Sequence, residues 1–221
     1  MYLLYLLLLI VLLAAFAIRK KSKKIDFETI HREREKANAP KILYLRAFNV
    51  DGDDAGNSTM AMLKLLPKEL DLANTLTKLD HHLVAVGKPD DDIPYIGFDR
   101  KKITNNTWEY EVLKLMKDGN LIIYRPDTSS GVMWEIERIL ELNYRKKLII
   151  WSDLGFENMI EIQKARYNIF RRKIFEHCSE KIPEYSKLKK FMASNSKDNW
   201  DLYYAINQTP IYKQLVSSKA F

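Results

Sequence analysis

The chain has a single cysteine, Cys178, among its 221 residues. No disulfide can form within it, which agrees with a reducing compartment. It lacks a G-x-x-x-x-G-K-[ST] loop and a G-x-G-x-x-G turn, so neither a P-loop NTPase nor the standard dinucleotide fingerprint is present. No cofactor is indicated. Of its four histidines, His31 and His177 have no partner at ligand spacing. His81 and His82 are adjacent and would point to opposite faces of a strand. With a lone cysteine, these leave nothing for a zinc site. Asp90-Asp91-Asp92 reads as a solvated acidic turn rather than a cation site. No G-x-S-x-G elbow supports a serine hydrolase. Internal repeats and low-complexity tracts are also missing. The formal net charge is +7, but five of the cations fall in residues 19–24, leaving only +2 for the remainder. Nucleic acid is therefore not an indicated partner.

What the sequence does have is a long apolar run at its start. Residues 2–18 carry no charge. A helix of that length spans roughly 26 Å, at the short end of what crosses a hydrocarbon core. Arg19-Lys20-Lys21-Ser22-Lys23-Lys24 follows at once. Basic residues flanking a membrane helix stay on the cytoplasmic side and bind anionic lipid. Residues 1–18 are therefore expected to form a single-pass transmembrane helix. Residues 19–40 are expected as a basic juxtamembrane segment and linker, and residues 41–221 as a cytoplasmic domain at the cell membrane. A cleaved signal peptide is the nearest competing reading, because Ala15-Phe16-Ala17 resembles a cleavage site. The cationic block lies on the wrong side for one. A buried helix would need a polar stripe, and the segment has none. A second basic cluster, Lys164, Arg166, Arg171, Arg172 and Lys173, reads as a solvated helix face, with lipid contact as the alternative.

Beyond the linker, apolar runs alternate with helical patterns. Residues 41–48, 82–86, 121–125 and 147–151 are near-continuous apolar stretches, the mark of strands buried on both faces. A short helix or stiff linker is expected over 25–38, and helices over 58–80 with a break near Pro67, 107–117 capped by Asn106 with Glu109, 131–145, 155–178 and around 184–193. A short strand is allowed near 202–206. Strand and helix in alternation imply parallel pairing with right-handed crossovers. The expected fold is α/β: a doubly wound, Rossmann- or flavodoxin-like, mostly parallel sheet of about four or five strands, with a mainly helical C-terminal third.

In such sheets ligands sit at the carboxyl ends of the strands, and the unusual polar residues fall there. The first strand runs out at Arg46 and an acidic loop, Asp51 to Asp54. The second runs out at Gly87-Lys88-Pro89-Asp90. The third runs out at Arg125-Pro126-Asp127-Thr128-Ser129-Ser130-Gly131. Loops are polar in any case, so ordinary solvated connections are the competing reading. Ser129 or Ser130 can cap the following helix, and Gly131 lets a ligand approach its backbone. The free amides of that first turn attract an anion. Val132, Ile136, Ile139 and Leu140 mark the face toward the sheet, with Glu135 at its border. Glu135 is either a catalytic or ligand-orienting carboxylate or a glutamate favoured by the helix dipole. Trp134 is a packing residue or, alternatively, a stacking platform.

The run Ser130-Gly131-Val132-Met133-Trp134-Glu135-Ile136 resembles the Ser-Gly-Thr-Ala-x-Glu-x-Gly segment of nucleoside 2-deoxyribosyltransferases. More loosely, it is similar to the wider group of Rossmann-like nucleotide-processing domains that includes TIR domains. The resemblance covers about eight residues. It implies a nucleotide or nucleoside ligand near Ser130 and Gly131, with Glu135 attacking or stabilising the anomeric carbon. Val132 stands where the transferases have threonine, and Glu137 where they have glycine. Arg138 occupies the place, four residues after the tryptophan, where TIR domains carry their catalytic glutamate. A carboxylate suits N-glycosidic cleavage because positive charge develops on the sugar. Arg46, Lys88 or Arg125 would hold a phosphate, with Asp90 or Asp127 as candidates to protonate the leaving base. Two functions stay open: a membrane-anchored domain that cleaves or transfers at an N-glycosidic bond through Glu135, or a non-enzymatic ligand-sensing or protein-docking module. A homo-oligomer formed through the anchor is a further expectation.

Overall fold

A computed structural model of the chain describes residues 26–46, 58–87, 97–104, 106–153 and 160–218. The expected membrane segment, the basic run, the acidic loop Asp51 to Asp54, Lys88 and Asp90 lie outside the described residues. Among the described residues, no helix is long and apolar enough to cross a membrane.

Seven strands form one sheet: β1 (Lys41–Leu45), β2 (His82–Gly87), β3 (Asp99–Lys102), β4 (Gly119–Tyr124), β5 (Leu148–Trp151), β6 (Phe191–Ser194) and β7 (Trp200–Tyr203). Their order is β3-β2-β1-β4-β5-β6-β7. The first five pair in parallel, and β6 and β7 add on antiparallel. The chain therefore builds outward from β1 through β2 to β3, then returns to lay β4 on the other side of β1. That reversal between β1 and β4 is the switch point of a Rossmann-like sheet.

Six α-helices are described: α1 (Phe27–Lys36), α2 (Ser58–Thr77), α3 (Trp108–Asp118), α4 (Ser130–Glu141), α5 (Ile160–Cys178) and α6 (Pro210–Ser217). They cover both faces, which is why β1, β2, β4 and β5 are apolar without alternation. On one face Leu43, Leu45, Ile122, Tyr124, Leu148 and Ile150 pack against Val112 and Met116 of α3, Val132, Ile136 and Ile139 of α4, and Tyr167, Phe170 and Ile174 of α5. On the other, Ile42, Tyr44, Leu83, Ala85, Ile123, Ile149 and Trp151 pack against Phe27 of α1, Leu72, Ala73 and Leu76 of α2, and Tyr212 of α6.

Charged side chains close several helix ends. Asp26 caps α1 by accepting from the Thr29 amide and hydroxyl at 3.2 and 2.7 Å. Arg34 donates to Thr77 O at the end of α2 and to His81 O just before β2, both at 2.7 Å. Lys147 donates to Met116 O, Lys117 O and Gly119 O, placing a cation at the carboxyl end of α3.

The sheet is wider than the sequence suggests, by β3 and β6; β7 overlaps the short strand allowed near 202–206 but begins two residues earlier. β3 is the run Asp99-Arg100-Lys101-Lys102, an edge strand with no apolar signal. Charge on an edge discourages pairing with other chains. β6 occupies the end of the stretch expected as a helix around 184–193, and with β7 it makes the C-terminal third mixed rather than mainly helical. α2 runs from Ser58 to Thr77 without a break at position 67. α3 begins after Thr107, not Asn106, and Thr107 makes no side-chain cap hydrogen bond. α4 stops at Glu141 because Asn143 enters the left-handed region, φ 57°, and a 3-10 turn (Tyr144–Lys147) follows.

Candidate functional site

Arg46 follows β1 directly and Arg125 follows β4 directly. The two strands are neighbours, with Leu45 opposite Tyr124, and the Arg125 amide donates to Leu45 O at 2.9 Å. The two arginines thus leave the sheet side by side at the switch point. Both are buried, at 8% and 6% exposure. They reach the same atom: Glu69 Oε1 lies 3.5 Å from Arg46 and 3.6 Å from Arg125. The Tyr44 hydroxyl donates to that oxygen at 2.9 Å. Burial, and next the nearby Glu69 charge, push the Tyr44 phenol pKa upward, so it remains a donor. The Arg125 guanidinium also lies over the Trp151 ring, 5.4 Å from its centroid.

Tyr44, Arg46, Glu69, Ala85, Phe98 and Arg100 line a crevice here. It is tight, with about 10 Å³ of room, enough for a single water. One strand further along, Asp153 follows β5 and accepts from Lys68 at 3.0 Å and Lys190 at 2.8 Å. Three adjacent carboxyl ends, those of β1, β4 and β5, thus carry a continuous row of charged groups.

The β4–α4 link borders the same rim. Asp127 Oδ1 accepts from the Ser129 amide at 2.8 Å, and Lys173 of α5 holds Thr128 O at 3.0 Å. Ser129 is the cap residue of α4, but its side chain makes no cap hydrogen bond. Ser130 and Gly131 open the helix. The Trp108 ring lies over Gly131, where an added Cβ would sit 3.7 Å from it. Trp134 packs against Trp108 with ring centroids 4.8 Å apart. Gly87 ends β2, and its carbonyl accepts from the Ile103 amide at 3.1 Å.

Glu135 stands apart from the arginines. It is 1% exposed on α4, the helix that packs on the face opposite Glu69. Its Oε2 has no hydrogen-bond partner among the described residues, and neither does the nearby Trp108 Nε1. Burial alone pushes its carboxyl well above the usual carboxylate range, with no cation offsetting it. The structure thus joins Arg46 to Arg125 and sets Gly87, Asp127, Ser129, Ser130 and Gly131 along one edge. It does not join Glu135 to them.

The central carboxylate, Glu69, was not legible as a site residue, although a signal for it exists. Leu72, Ala73 and Leu76 follow it by three, four and seven positions, so Glu69 sits on the apolar stripe of α2. A carboxylate there needs a buried partner.

Compared with protein-family models, curated proteins and solved structures, the chain has no match. Fold and site alone define it: a Rossmann-like α/β domain with two arginines and a glutamate buried at the switch point.

A roomier groove lies elsewhere. It measures about 400 Å³ and is lined by Lys41, Lys101, Lys102, Lys114, Glu111 and Asp118 among others. Its lysines are partly exposed, and two have carboxylate partners, Lys41 with Asp118 and Lys101 with Glu35. That is the chemistry of a solvated surface, so position and burial favour the smaller crevice.

Proposed function

We propose that this is a ligand-recognition domain that binds a nucleotide at the switch point, its phosphate held by Arg46 and Arg125. The observation that carries the reading is this pair of buried guanidiniums at adjacent strand ends. Open parallel sheets take ligands there, and a guanidinium fork matches phosphate oxygens. The amino end of α4, on the same rim, adds backbone amides that favour an anion. The apolar run of residues 2–18 and the basic segment after it tether the domain to the cytoplasmic face of a membrane. Calorimetric titration of the full-length chain with adenosine monophosphate and with adenosine tests the binding. The monophosphate binds and adenosine binds at least tenfold more weakly, and Arg125→Ala removes that preference. Absence of binding by purine and pyrimidine monophosphates and nicotinamide dinucleotide alike would contradict the reading. Removing residues 2–18 moves the protein to the soluble fraction; continued sedimentation with membranes would contradict the tether.

A second reading keeps N-glycosidic cleavage at Glu135. A buried, unpartnered carboxyl with a raised pKa suits proton donation in catalysis. It requires Glu135 to be uncovered when ligand binds. Its test is release of free base from nucleotides, abolished by Glu135→Gln. Because Glu135 lies across the sheet from the arginines, recognition without turnover is the better supported of the two.

A further inference from the structure

Away from the crevice, charge gathers on α5. The helix carries five cations, Lys164, Arg166, Arg171, Arg172 and Lys173, and two carboxylates, Glu161 and Glu176. That balance of +3 compares with +2 for the whole chain outside residues 19–24, so everything else is close to neutral. Two of the cations are taken up within the domain: Arg171 donates to Ile182 O and Lys173 to Thr128 O, each at 3.0 Å. Arg166 and Arg172 are exposed. Arg172 lies 3.8 Å from Glu176, with both side chains more than half exposed, a contact too wet to hold it firmly. The helix is also apolar on two sides. Tyr167, Phe170 and Ile174 are buried in the core. On the opposite side Ile162, Ala165 and Ile169 form a stripe at helical spacing, and the two isoleucines are 46% and 39% exposed. Arg166 and Arg172 flank it, three residues either side of Ile169 and therefore its neighbours on the helix surface.

An apolar stripe between arginines fits an anionic lipid surface. The isoleucines enter the headgroup boundary while the guanidiniums stay at the phosphates. A second copy of the chain fits poorly, because two such faces meeting about a twofold axis bring like charges together. We propose that the outer face of α5, formed by Ile162, Ala165, Arg166, Ile169 and Arg172, docks on the anionic cytoplasmic leaflet. This rests on the membrane tether proposed above, which holds the domain at that surface. At no more than about 3.5 Å per residue, residues 19–26 reach roughly 28 Å. That exceeds two helix diameters, which lets α5 meet the lipid although it packs on the sheet face opposite α1.

The test reconstitutes the full-length chain in vesicles of phosphatidylcholine, alone or mixed with phosphatidylserine. A polarity-sensitive fluorophore is attached at position 165 through Ala165→Cys in a Cys178→Ser background, and flotation of the vesicles checks the anchor separately. Phosphatidylserine should shift the emission to the blue and bring the label within reach of a quencher carried on the lipid tails. Each basic residue at an anionic leaflet corresponds to about fivefold in the docking equilibrium. Arg166→Glu with Arg172→Glu should therefore return the emission to its value in phosphatidylcholine, and high salt should do the same. The same label placed through Lys213→Cys, exposed on α6, should stay in water throughout. Emission at position 165 that ignores phosphatidylserine, in protein that floats with the vesicles, would overturn the proposal and leave the tether standing. A blue shift in phosphatidylcholine alone that grows with protein density would overturn it in favour of a contact between copies. Protein that floats with neither vesicle would sink the tether, and the proposal with it. The comparison of the two vesicles decides the matter even if the arginine variant does not fold.

Discussion

Two glutamates lie on opposite faces of one sheet and are equally hidden, Glu69 at 2% and Glu135 at 1% exposure. Glu69 has two guanidiniums and a phenol around one oxygen. Among the described residues Glu135 has no charged partner, and its Oε2 has no hydrogen bond. The difference lies in what the strand ends supply. Beneath α2, β1 and β4 run out into arginines, so a carboxylate can be buried as an ion. Beneath α4 the sheet offers Tyr124 and Ile122, and the Tyr124 hydroxyl is already donated to Val132 O. Burial there pushes a carboxyl toward its neutral form. Burial alone therefore does not mark an active carboxylate; the partners decide whether it serves as an ion or as an acid.

Substitutions can break this contrast. Glu69→Ala removes the carboxylate that two buried guanidiniums share, and breaking a buried ion pair in this way typically costs about 3–5 kcal/mol. Urea denaturation should show a loss of that size, and a loss under ~1 kcal/mol would mean the cluster is solvated. Glu135→Met keeps the volume and removes an unsatisfied polar group worth roughly 1–3 kcal/mol. It should raise stability, or at least not lower it, and a large loss would reveal a partner for Glu135. Tyr44→Phe removes one hydrogen bond to a charged group, a change of about 1.5 kcal/mol or somewhat more. It should weaken the fold less than Glu69→Ala, and the two losses should not add.

Acidity sharpens the contrast with a smaller effect. The folded pKa of Glu135 is raised above its ordinary 4.5. The stability this group contributes is present below pH 4.5 and is lost as pH rises, because the unfolded chain ionises while the buried carboxyl does not. On the Glu69 face, His31 behaves in the opposite sense. It is buried, its Nε2 donates to Gly97 O at 2.9 Å and its Nδ1 accepts from the Leu83 amide. Burial lowers its pKa from 6.5, so its contribution is present above pH 6.5 and is lost on acidification. Glu135→Gln should flatten the fall in stability above pH 4.5 and leave the acid side unchanged. His31→Gln should flatten the acid side between pH 6.5 and the lowered folded value.

How far the sequence reveals this protein also divides by region. β1, β2, β4 and β5 are legible because a strand covered on both faces must be apolar throughout. β3 is not, since an edge strand of four charged or half-buried residues carries no periodic signal. β6 is short, and its Phe191-Met192-Ala193 run suits a helix as well as a strand. Arg46 and Arg125 stand out as charges that end buried strands, and their meeting follows from the strand order. Glu69 is obscured because Lys68-Glu69 looks like ordinary helix surface until its alignment with Leu72, Ala73 and Leu76 is noticed. Glu135 reads from its spacing as a border residue, and only packing against α3 and α5 reveals which way it turns.

The claim on which the rest depends is that the switch-point arginines receive an anionic ligand. Side-chain Nε–Hε signals of arginine in a nitrogen-15 NMR titration with adenosine monophosphate test it directly. The account predicts saturable shifts of the Arg46 and Arg125 signals with one common dissociation constant. Binding that leaves both signals unmoved, or that shifts residues of the lysine-lined groove instead, would contradict it.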